Sequence, residues 1–418
     1  MTDRRRPSAA PDDVVITGIG MVSPLGGSAQ ATMRALLNAE SGVRLLPESQ
    51  HELSPVHLHA PVADAGLTDV TRVERRRLDR STQLAVQATR EAWQDADRPG
   101  VESARLAAVV ATGVGGLLTI FTGYQHYTAK GYVGLPAFTV PALMPNSTAA
   151  VIAAEYGANA GAVSLASACA SGADALAYAL RLFKDDEIDV AIVGGTEAVI
   201  HPLTLSAFAA LRALSTRNTE PARASRPFDR DRDGFVLGEG AAILVLERER
   251  HAAARGARVR GRLLGAGTSC DAAHLVAPDP SGKWSAEAMR KALRSAGAEP
   301  ADVEFVYAHA TATPNGDTAE WRALQTAFGG ALADISVTAV KSAIGHLIGA
   351  AGPVAAALAV MSLETGLVPP TQNLDNPDPE IELDLVRDAP RALSRGGLAL
   401  VNSSGFGGHN AVIVMGKD

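Results

Sequence analysis

Short runs in which nearly every residue is apolar recur along the chain, separated by longer stretches of helix-forming composition. Val14–Gly20, Leu106–Thr112, Ile188–Val193 and Gly240–Glu247 are runs of the first kind. Such a run, closed by glycine or charge, reads as a strand covered on both faces. Between them, Ala29–Leu37, Ser81–Ala96, Ser147–Tyr156 and Leu205–Leu214 read as helices. The order then repeats. Val259–Leu264, Val303–His309, Ile335–Val340, Leu398–Val401 and Ala411–Met415 read as strands, and Ser285–Ala296, Thr318–Phe328 and Val354–Glu364 as helices. This alternation predicts an α/β architecture of stacked layers, with a first half over 14–256 and a second over 257–418. Residues 41–70 read as loop. Residues 120–147 gather aromatics and prolines and are expected to form an irregular excursion along a pocket. Met1–Asp13, with Arg4-Arg5-Arg6, two prolines and no apolar segment, reads as a disordered tail rather than a signal peptide.

Two helical stretches are apolar nearly all round. Ala170–Phe183 follows Cys169, and Val354–Glu364 follows the segment that holds His346. A small-residue helix without a polar face must be buried on every side. One such helix per half, side by side between two sheets, would bring their N-termini together, and with them Cys169 and His346.

Composition narrows the classes of function. Hydrophobic residues make up 47% of the 418 and aromatics only 4%, so the core must be built from Ala, Val, Leu and Ile. A net charge of −7 gives no support to nucleic-acid binding. Two cysteines exclude a disulfide framework and a multi-cysteine zinc site, and point to a reducing, cytoplasmic setting. No apolar run reaches the roughly 20 residues that span a membrane. Gly18-x-Gly20 lacks the third glycine of a dinucleotide fingerprint, with Ser23 in its place, so no nucleotide cofactor is expected. The run Thr71–Arg80 is the densest basic patch outside the tail; it is either a solvated face or a docking site for an acidic partner.

The candidate chemistry centres on Cys169, placed where a β-prone run gives way to a helix. Unpaired N–H groups and the helix dipole there favour a thiolate and lower its pKa, and the same N–H groups can hold an oxyanion. A buried structural cysteine fits the same pattern. His309 ends a strand and faces a loop. His346 sits at a helix start, where the dipole disfavours its protonated form. Lys341, five residues earlier, could stabilise negative charge. Cys, His and His suit one reaction well. The thiolate accepts an acyl group from a thioester, and two neutral imidazoles stabilise the enolate left when a malonyl thioester loses CO2. That chemistry needs no metal and no organic cofactor.

Several motifs occur together: Ala168-Cys169-Ala-Ser-Gly172, Arg212-Ala-Leu-Ser-Thr216, Arg226-Pro-Phe228-Asp, Asp233-Gly-Phe-Val-Leu-Gly238-Glu-Gly240, Ala308-His309, Lys341-Ser342 with Gly345-His346, and Gly405-Phe-Gly-Gly408. From Val14 to Met415 the chain resembles the elongating β-ketoacyl-acyl-carrier-protein synthases of fatty acid and type II polyketide synthesis. The resemblance implies a thiolase-type fold, two pseudo-symmetric α/β halves in a five-layer αβαβα stack, usually a homodimer, with a heterodimer containing a chain-length partner as the alternative. It implies Cys169 as acyl acceptor, the N–H groups of Cys169 and Phe406 as oxyanion hole, His309 and His346 for decarboxylation and condensation, and Lys341 ordering His346. Thr311 and Thr313 match positions that hold the pantetheine arm, and Val114, Ser404 and Phe406 match substrate-binding positions. Arg76, Arg77 and Arg212 resemble the patch that meets the acidic acyl carrier protein.

Three positions depart from the family pattern. Ala310 follows the first histidine in place of glycine. Ser404 replaces a phenylalanine that resembles the gate of the acyl pocket, which implies a wider gate for a polar, branched or unsaturated chain. Ala355 stands where a glutamate is frequent in the polar network behind the histidines. A thiolase would need a second cysteine in the loop Gly405–Asn410, which has none, and Cys270 looks incidental. An initiating synthase would carry Asn for His346, and a non-catalytic chain-length subunit would lack Cys169. A specialised-metabolism or self-resistance ketosynthase, or an acyltransferase that no longer condenses, remains an alternative to housekeeping fatty acid synthesis.

Overall fold

A computed structural model of the chain describes residues 13–418. The expected disordered tail lies outside the described residues except for Asp13, whose carbonyl accepts from the Glu249 N–H. Among the described residues, one continuous sheet of eleven strands divides into two halves of five main strands each, the two-residue strand Asp384–Leu385 extending the second half beyond Ser336–Thr338. The first holds β1 (Val14–Val22), β2 (Leu106–Ala111), β3 (Gly161–Val163), β4 (Val190–Glu197) and β5 (Gly240–Arg248). The second holds β6 (Gly261–Cys270), β7 (Val303–Tyr307), β8 (Ser336–Thr338), β9 (Leu398–Gly405) and β10 (His409–Gly416). The spatial orders are β3-β2-β4-β5-β1 and β8-β7-β9-β10-β6, the same permutation in both halves. Strand directions match as well: in each half the first two pairings are parallel and the last two antiparallel. The two half-sheets are linked only by Val15↔Arg262 and Ile16↔Gly261, so each half is a layer in its own right.

Six helices complete the layers: α1 (Arg80–Asp95), α2 (Ser147–Tyr156), α3 (Ser171–Lys184), α4 (Lys283–Ala296), α5 (Pro314–Phe328) and α6 (Ala351–Thr365). The side-chain alternation of each strand assigns them to layers. In β2, Leu106, Ala108 and Val110 join α1 and α2 in one outer cluster, while Ala107 and Val109 join α3 and α6 in the central one. In the second half, Val303 and Val306 pack with α4 and α5, and Phe305 and Tyr307 face the centre. The result is the five-layer αβαβα stack. Both faces of both half-sheets are covered, which is why their strands are apolar at nearly every position. Every residue of α6 from Gly352 to Leu363 is buried. With the turn before it, the stretch Ile348–Thr365 is long and apolar enough to cross a membrane, a longer apolar segment than the residue pattern alone suggests. However, 83% of it is buried inside the protein.

Gly18 and Gly20 belong to this packing. A Cβ on Gly20 would lie 1.9 Å from the Ala88 carbonyl oxygen, and one on Gly18 2.1 Å from that of Ala92. Their absence lets α1 press onto β1, and Asp95 and Glu91 then accept from the Ile19 and Met21 N–H groups.

The excursion expected over 120–147 is ordered. A helix runs over Leu117–Lys130, and a short one over Thr139–Leu143. Its period escapes notice because its apolar residues point outward: Ile120, Tyr124, Tyr127, Tyr132, Val133 and Val140 are exposed. The helix expected over 205–214 instead spans Pro202–Ala210, with His201 as N-cap and proline at its first position.

The central layer depends on two glycines. A Cβ on Gly172 would meet Pro353 Cδ at 2.2 Å and the Gly349 carbonyl oxygen at 2.5 Å, and one on Gly352 would meet the Ala173 nitrogen at 2.7 Å. Gly172→Ala should therefore destabilise the fold by about 1–3 kcal/mol, the usual cost of overpacking. Gly330→Ala, with nothing within 4 Å of its added methyl, should be near neutral. Urea unfolding of the two variants beside the parent checks this.

Candidate active site

The nucleophile turn is built from local hydrogen bonds. After β3 the chain reaches Ser167, then makes one 3-10 turn over Ala168–Ala170 and enters α3. Ala168 has φ 52°, left-handed backbone that a residue with a Cβ adopts only at a cost. Ser171 maintains it: its hydroxyl donates to the Ala168 carbonyl at 2.5 Å and accepts from the Ser167 N–H at 2.9 Å. Ser167 in turn donates its hydroxyl to Asp174. Cys169 is thus pinned, half-buried, with its own N–H and that of Phe406 directed at its sulfur. Gly405 allows this approach, since a Cβ there would lie 2.5 Å from the Ser167 carbonyl oxygen.

His346 arrives from the other half. The single-turn helix Lys341–Ile344 ends at Gly345, whose φ is 70°. His346 then pairs like a strand residue with the first half: its N–H donates to Val236 and its carbonyl accepts from Gly238. Its Nε2 comes to 2.9 Å from Cys169 Sγ. The His309 ring stands perpendicular to that of His346, with centroids 5.5 Å apart, and Phe235 sets its edge against His346 at 5.3 Å.

The pseudo-symmetry sharpens the expected echo between Cys169 and His346. The turn Ile348–Ala350 leads into α6 as Ala168–Ala170 leads into α3, and Ile348, like Ala168, is left-handed at φ 42°. Gly349 is therefore the structural counterpart of Cys169. His346 lies three residues upstream, which lets its side chain cross to the sulfur.

Burial governs the charges. It holds both imidazoles well below 6.5, and the Lys341 ammonium pushes the same way, so both rings are neutral at pH 7. Burial also lowers Lys341 to about 8, opposed by Glu320, Cys169 and Asp317. The thiol departs from expectation: burial pushes Cys169 up to about 12 and the Glu197 charge adds to this, while Lys341 and the two N–H groups pull it down. The helix start does favour the thiolate, but dehydration of the pocket outweighs it. At rest the pair is a thiol beside a neutral imidazole.

Behind His309 lies Glu320, which the residue pattern did not single out. Its oxygens accept from the His309 and Ala310 N–H groups, each at 2.7 Å, and from Asn402 Nδ2 at 2.6 Å. Asp317, one turn earlier on α5, accepts from the Phe228 and Ala312 N–H groups and is raised by burial to about 7. Their only signal in sequence is an acidic i, i+3 pair on a helix otherwise read as structural.

Other singled-out residues divide into two groups. Thr311 and Thr313 follow His309 on one loop, their hydroxyls 3.0 Å apart, and Phe406 is half-buried with its ring 6.4 Å from that of Phe208. The Ser404 hydroxyl donates to Asn410 Oδ1 at 3.1 Å, and Asn410 Nδ2 donates to Asp271. Ala355 is buried in the central core. Val114, Arg76, Arg77 and Arg212 are exposed, outside the buried cluster. The Arg77 guanidinium lies over the Phe138 ring at 4.9 Å. The basic run is not uniform, because Arg80 is consumed by Glu239 and Asp64.

Comparison with known proteins agrees with this architecture. Residues 11–252 match the family model for the beta-ketoacyl synthase N-terminal domain and residues 260–375 that for its C-terminal domain. The 3-oxoacyl-[acyl-carrier-protein] synthase 2 of Mycobacterium tuberculosis (strain ATCC 25618 / H37Rv) is 42% identical over 408 residues, 97% of each chain. That of Mycobacterium leprae is 39% identical over 407 residues, 97% of this chain and 96% of the relative. Among solved structures, a type II PKS ketosynthase in complex with its acyl-carrier protein superposes with TM-score 0.90 at 29% identity, covering 98% of this chain and 100% of the other. A beta-ketoacyl synthase from Burkholderia phymatum superposes with TM-score 0.88 at 32% identity, covering 97% and 99%. Matched by family models across both halves and by curated relatives over nearly its full length, the chain belongs to the β-ketoacyl synthase family.

Proposed function

We propose that the protein elongates acyl chains by decarboxylative condensation of an acyl group on Cys169 with a malonyl-acyl-carrier protein. The observation that carries this is the Cys169–His346 pair at 2.9 Å with His309 perpendicular to it, in one buried pocket. The curated 3-oxoacyl-[acyl-carrier-protein] synthase 2 relatives support it.

In acyl loading, Cys169 Sγ attacks the thioester of the incoming acyl carrier protein. The thiol proton passes to His346 Nε2 and then to the departing pantetheine sulfur, while the N–H groups of Cys169 and Phe406 hold the oxyanion. In condensation, neutral His309 and His346 donate to the malonyl thioester carbonyl as its carboxylate leaves as CO2. The enolate carbon attacks the acyl carbonyl, the C–S bond to Cys169 breaks, and the thiolate that leaves takes up one proton from solvent. Lys341 and Glu320 orient the histidines: the buried ammonium keeps both rings neutral, and the carboxylate fixes the backbone of the His309 loop. The loop of Thr311 and Thr313 receives the pantetheine arm, and Val114 and Phe406 contact substrate. Arg76, Arg77 and Arg212 offer exposed cations to an acidic carrier protein. This reaction draws on no metal or organic cofactor.

Tyr124, Tyr127, Tyr132 and Val140 form an exposed apolar face, and the edge strand β3 of the first half-sheet has a free side. A second copy of the chain is the occupant we assign to it. One structural relative is described as a ketosynthase/chain length factor, which makes a heterodimer the alternative. The division into halves at 14–256 and 257–418 corresponds to one nucleophile half and one histidine half. A cytoplasmic location keeps the two free thiols reduced.

With acyl- and malonyl-carrier proteins, mass spectrometry should show two-carbon extension and CO2 release. His309→Ala should still load Cys169 but condense at least about 100-fold more slowly, within the range for loss of a proton-handling group. Loading without extension in the parent enzyme would instead identify an acyltransferase. Because burial holds both histidines well below 6.5, kcat should be flat from pH 6 to pH 5, below the range in which Lys341 (about 8) and Glu197 and Asp317 (each about 7) change charge, whereas one ordinary histidine would lose about eightfold of its neutral form over that range. Finally, Ser404→Phe, which removes the hydroxyl held by Asn410 and narrows the gate, should shift preference toward straight saturated chains. An unchanged profile across polar, branched and saturated acyl groups would refute that role.

A further inference from the structure

Glu197, the last residue of β4, is fully buried and has no part in the reaction as described. One of its oxygens, Oε2, accepts from two backbone N–H groups of different halves: Gly113, after β2, at 2.7 Å, and Gly349 at 3.1 Å. The other, Oε1, accepts from the Thr112 hydroxyl at 3.0 Å. Three glycines make room for these contacts. A Cβ on Gly349 would lie 2.5 Å from the Gly113 nitrogen, and one on Gly195 2.4 Å from the Gly349 carbonyl oxygen.

Gly349 is the counterpart of Cys169 and lies three residues after His346. The left-handed Ile348 between them aims the Gly349 N–H at the carboxylate. At the position of pseudo-symmetry matching the nucleophile, the fold therefore presents a backbone donor captured by a buried anion. We propose that Glu197 is a positioning residue for the Cys169–His346 pair: by clamping the Gly349 and Gly113 amides on one oxygen, it sets where the histidine segment of the second half meets the nucleophile turn of the first. The inference rests on the condensation reading given above.

Its charge also reaches the thiol. Cys169 is faced by the negative Glu197 and the positive Lys341, with His346 and His309 beside it and Glu320 behind Lys341. Above pH 7, Glu197 is ionised, its carboxyl being raised by burial to about 7 against the pull of its donors. Removing that charge while keeping the shape must make the thiol easier to ionise; removing the clamp must also disturb the pair.

The test compares E197Q and E197A with the parent enzyme. E197Q can still accept from Gly113 and Gly349 through its carbonyl oxygen, whereas E197A cannot. E197A should lower kcat for condensation by roughly tenfold or more with KM for malonyl-carrier protein within about twofold, a loss confined to the reacting geometry. E197Q should keep kcat within about threefold, and the pH midpoint for alkylation of Cys169 by iodoacetamide should move down by about half a unit or more. Parent kcat in E197A, or an E197Q midpoint equal to the parent's, overturns the proposal. So does equal loss of kcat in both variants in step with a lower Tm, which would mark a purely structural role. If E197A does not fold, E197Q decides. Alkylation requires no condensation, so a parent that alkylates normally but does not extend acyl chains overturns the condensation reading and not this one.

Discussion

Two helix starts meet in the centre of the molecule, each presenting a glycine to the other. Gly172 and Gly352 are the second residues of α3 and α6; Gly172 lies against the Pro353 ring and the Gly349 carbonyl, and Gly352 against the backbone of Ala173. Close packing tolerates no added methyl there. The turns just before these glycines, Ala168–Ala170 and Ile348–Ala350, are consequently held within contact of each other. One carries Cys169, and the other follows His346. The reactive pair is a by-product of how closely two apolar helices can approach.

That closeness also dehydrates the site, and dehydration decides the protonation of every group in it. Burial neutralises His309 and His346 and raises Cys169 and Glu320, while Lys341 is brought down to about 8. A rim charge would barely register in such a pocket, but a buried one does. The ammonium of Lys341 and the carboxylate of Glu320 are mutually supporting, and each backs a histidine. Glu197 links the halves through the Gly113 and Gly349 amides, and its charge opposes thiolate formation. The enzyme keeps its nucleophile as a thiol until an acyl thioester arrives beside the neutral imidazole.

Three turns at the site carry left-handed, non-glycine backbone. Ala168 and Ile348 are left-handed, and so is Ala310 at φ 24°, directly after His309. Unfavourable backbone of this kind persists only when surrounding bonds over-determine it. Here Ser171 restrains the first, Glu197 the second and Glu320 the third, each through donors or acceptors on the turn itself.

The layer architecture was legible from the chain because strands covered on both faces are apolar throughout, and central helices lack a polar side. Cys169, His309, Lys341 and His346 could be singled out because reactive side chains at the ends of such elements are scarce. Ser404 and Ala310 stood out only against a family pattern. The helix over Leu117–Lys130 was not legible, since its apolar residues face away from the rest of the chain. Glu320 and Glu197 were not legible either: each is one carboxylate in a regular element, and its partners are two backbone amides and one side chain, 10 to 152 residues away. The sequence by itself determined which side chains can react, for that is a matter of chemical type. Only the tertiary structure decided their ionisation, because a pKa depends on how completely the surrounding layers exclude water and on which buried charges they bring within reach.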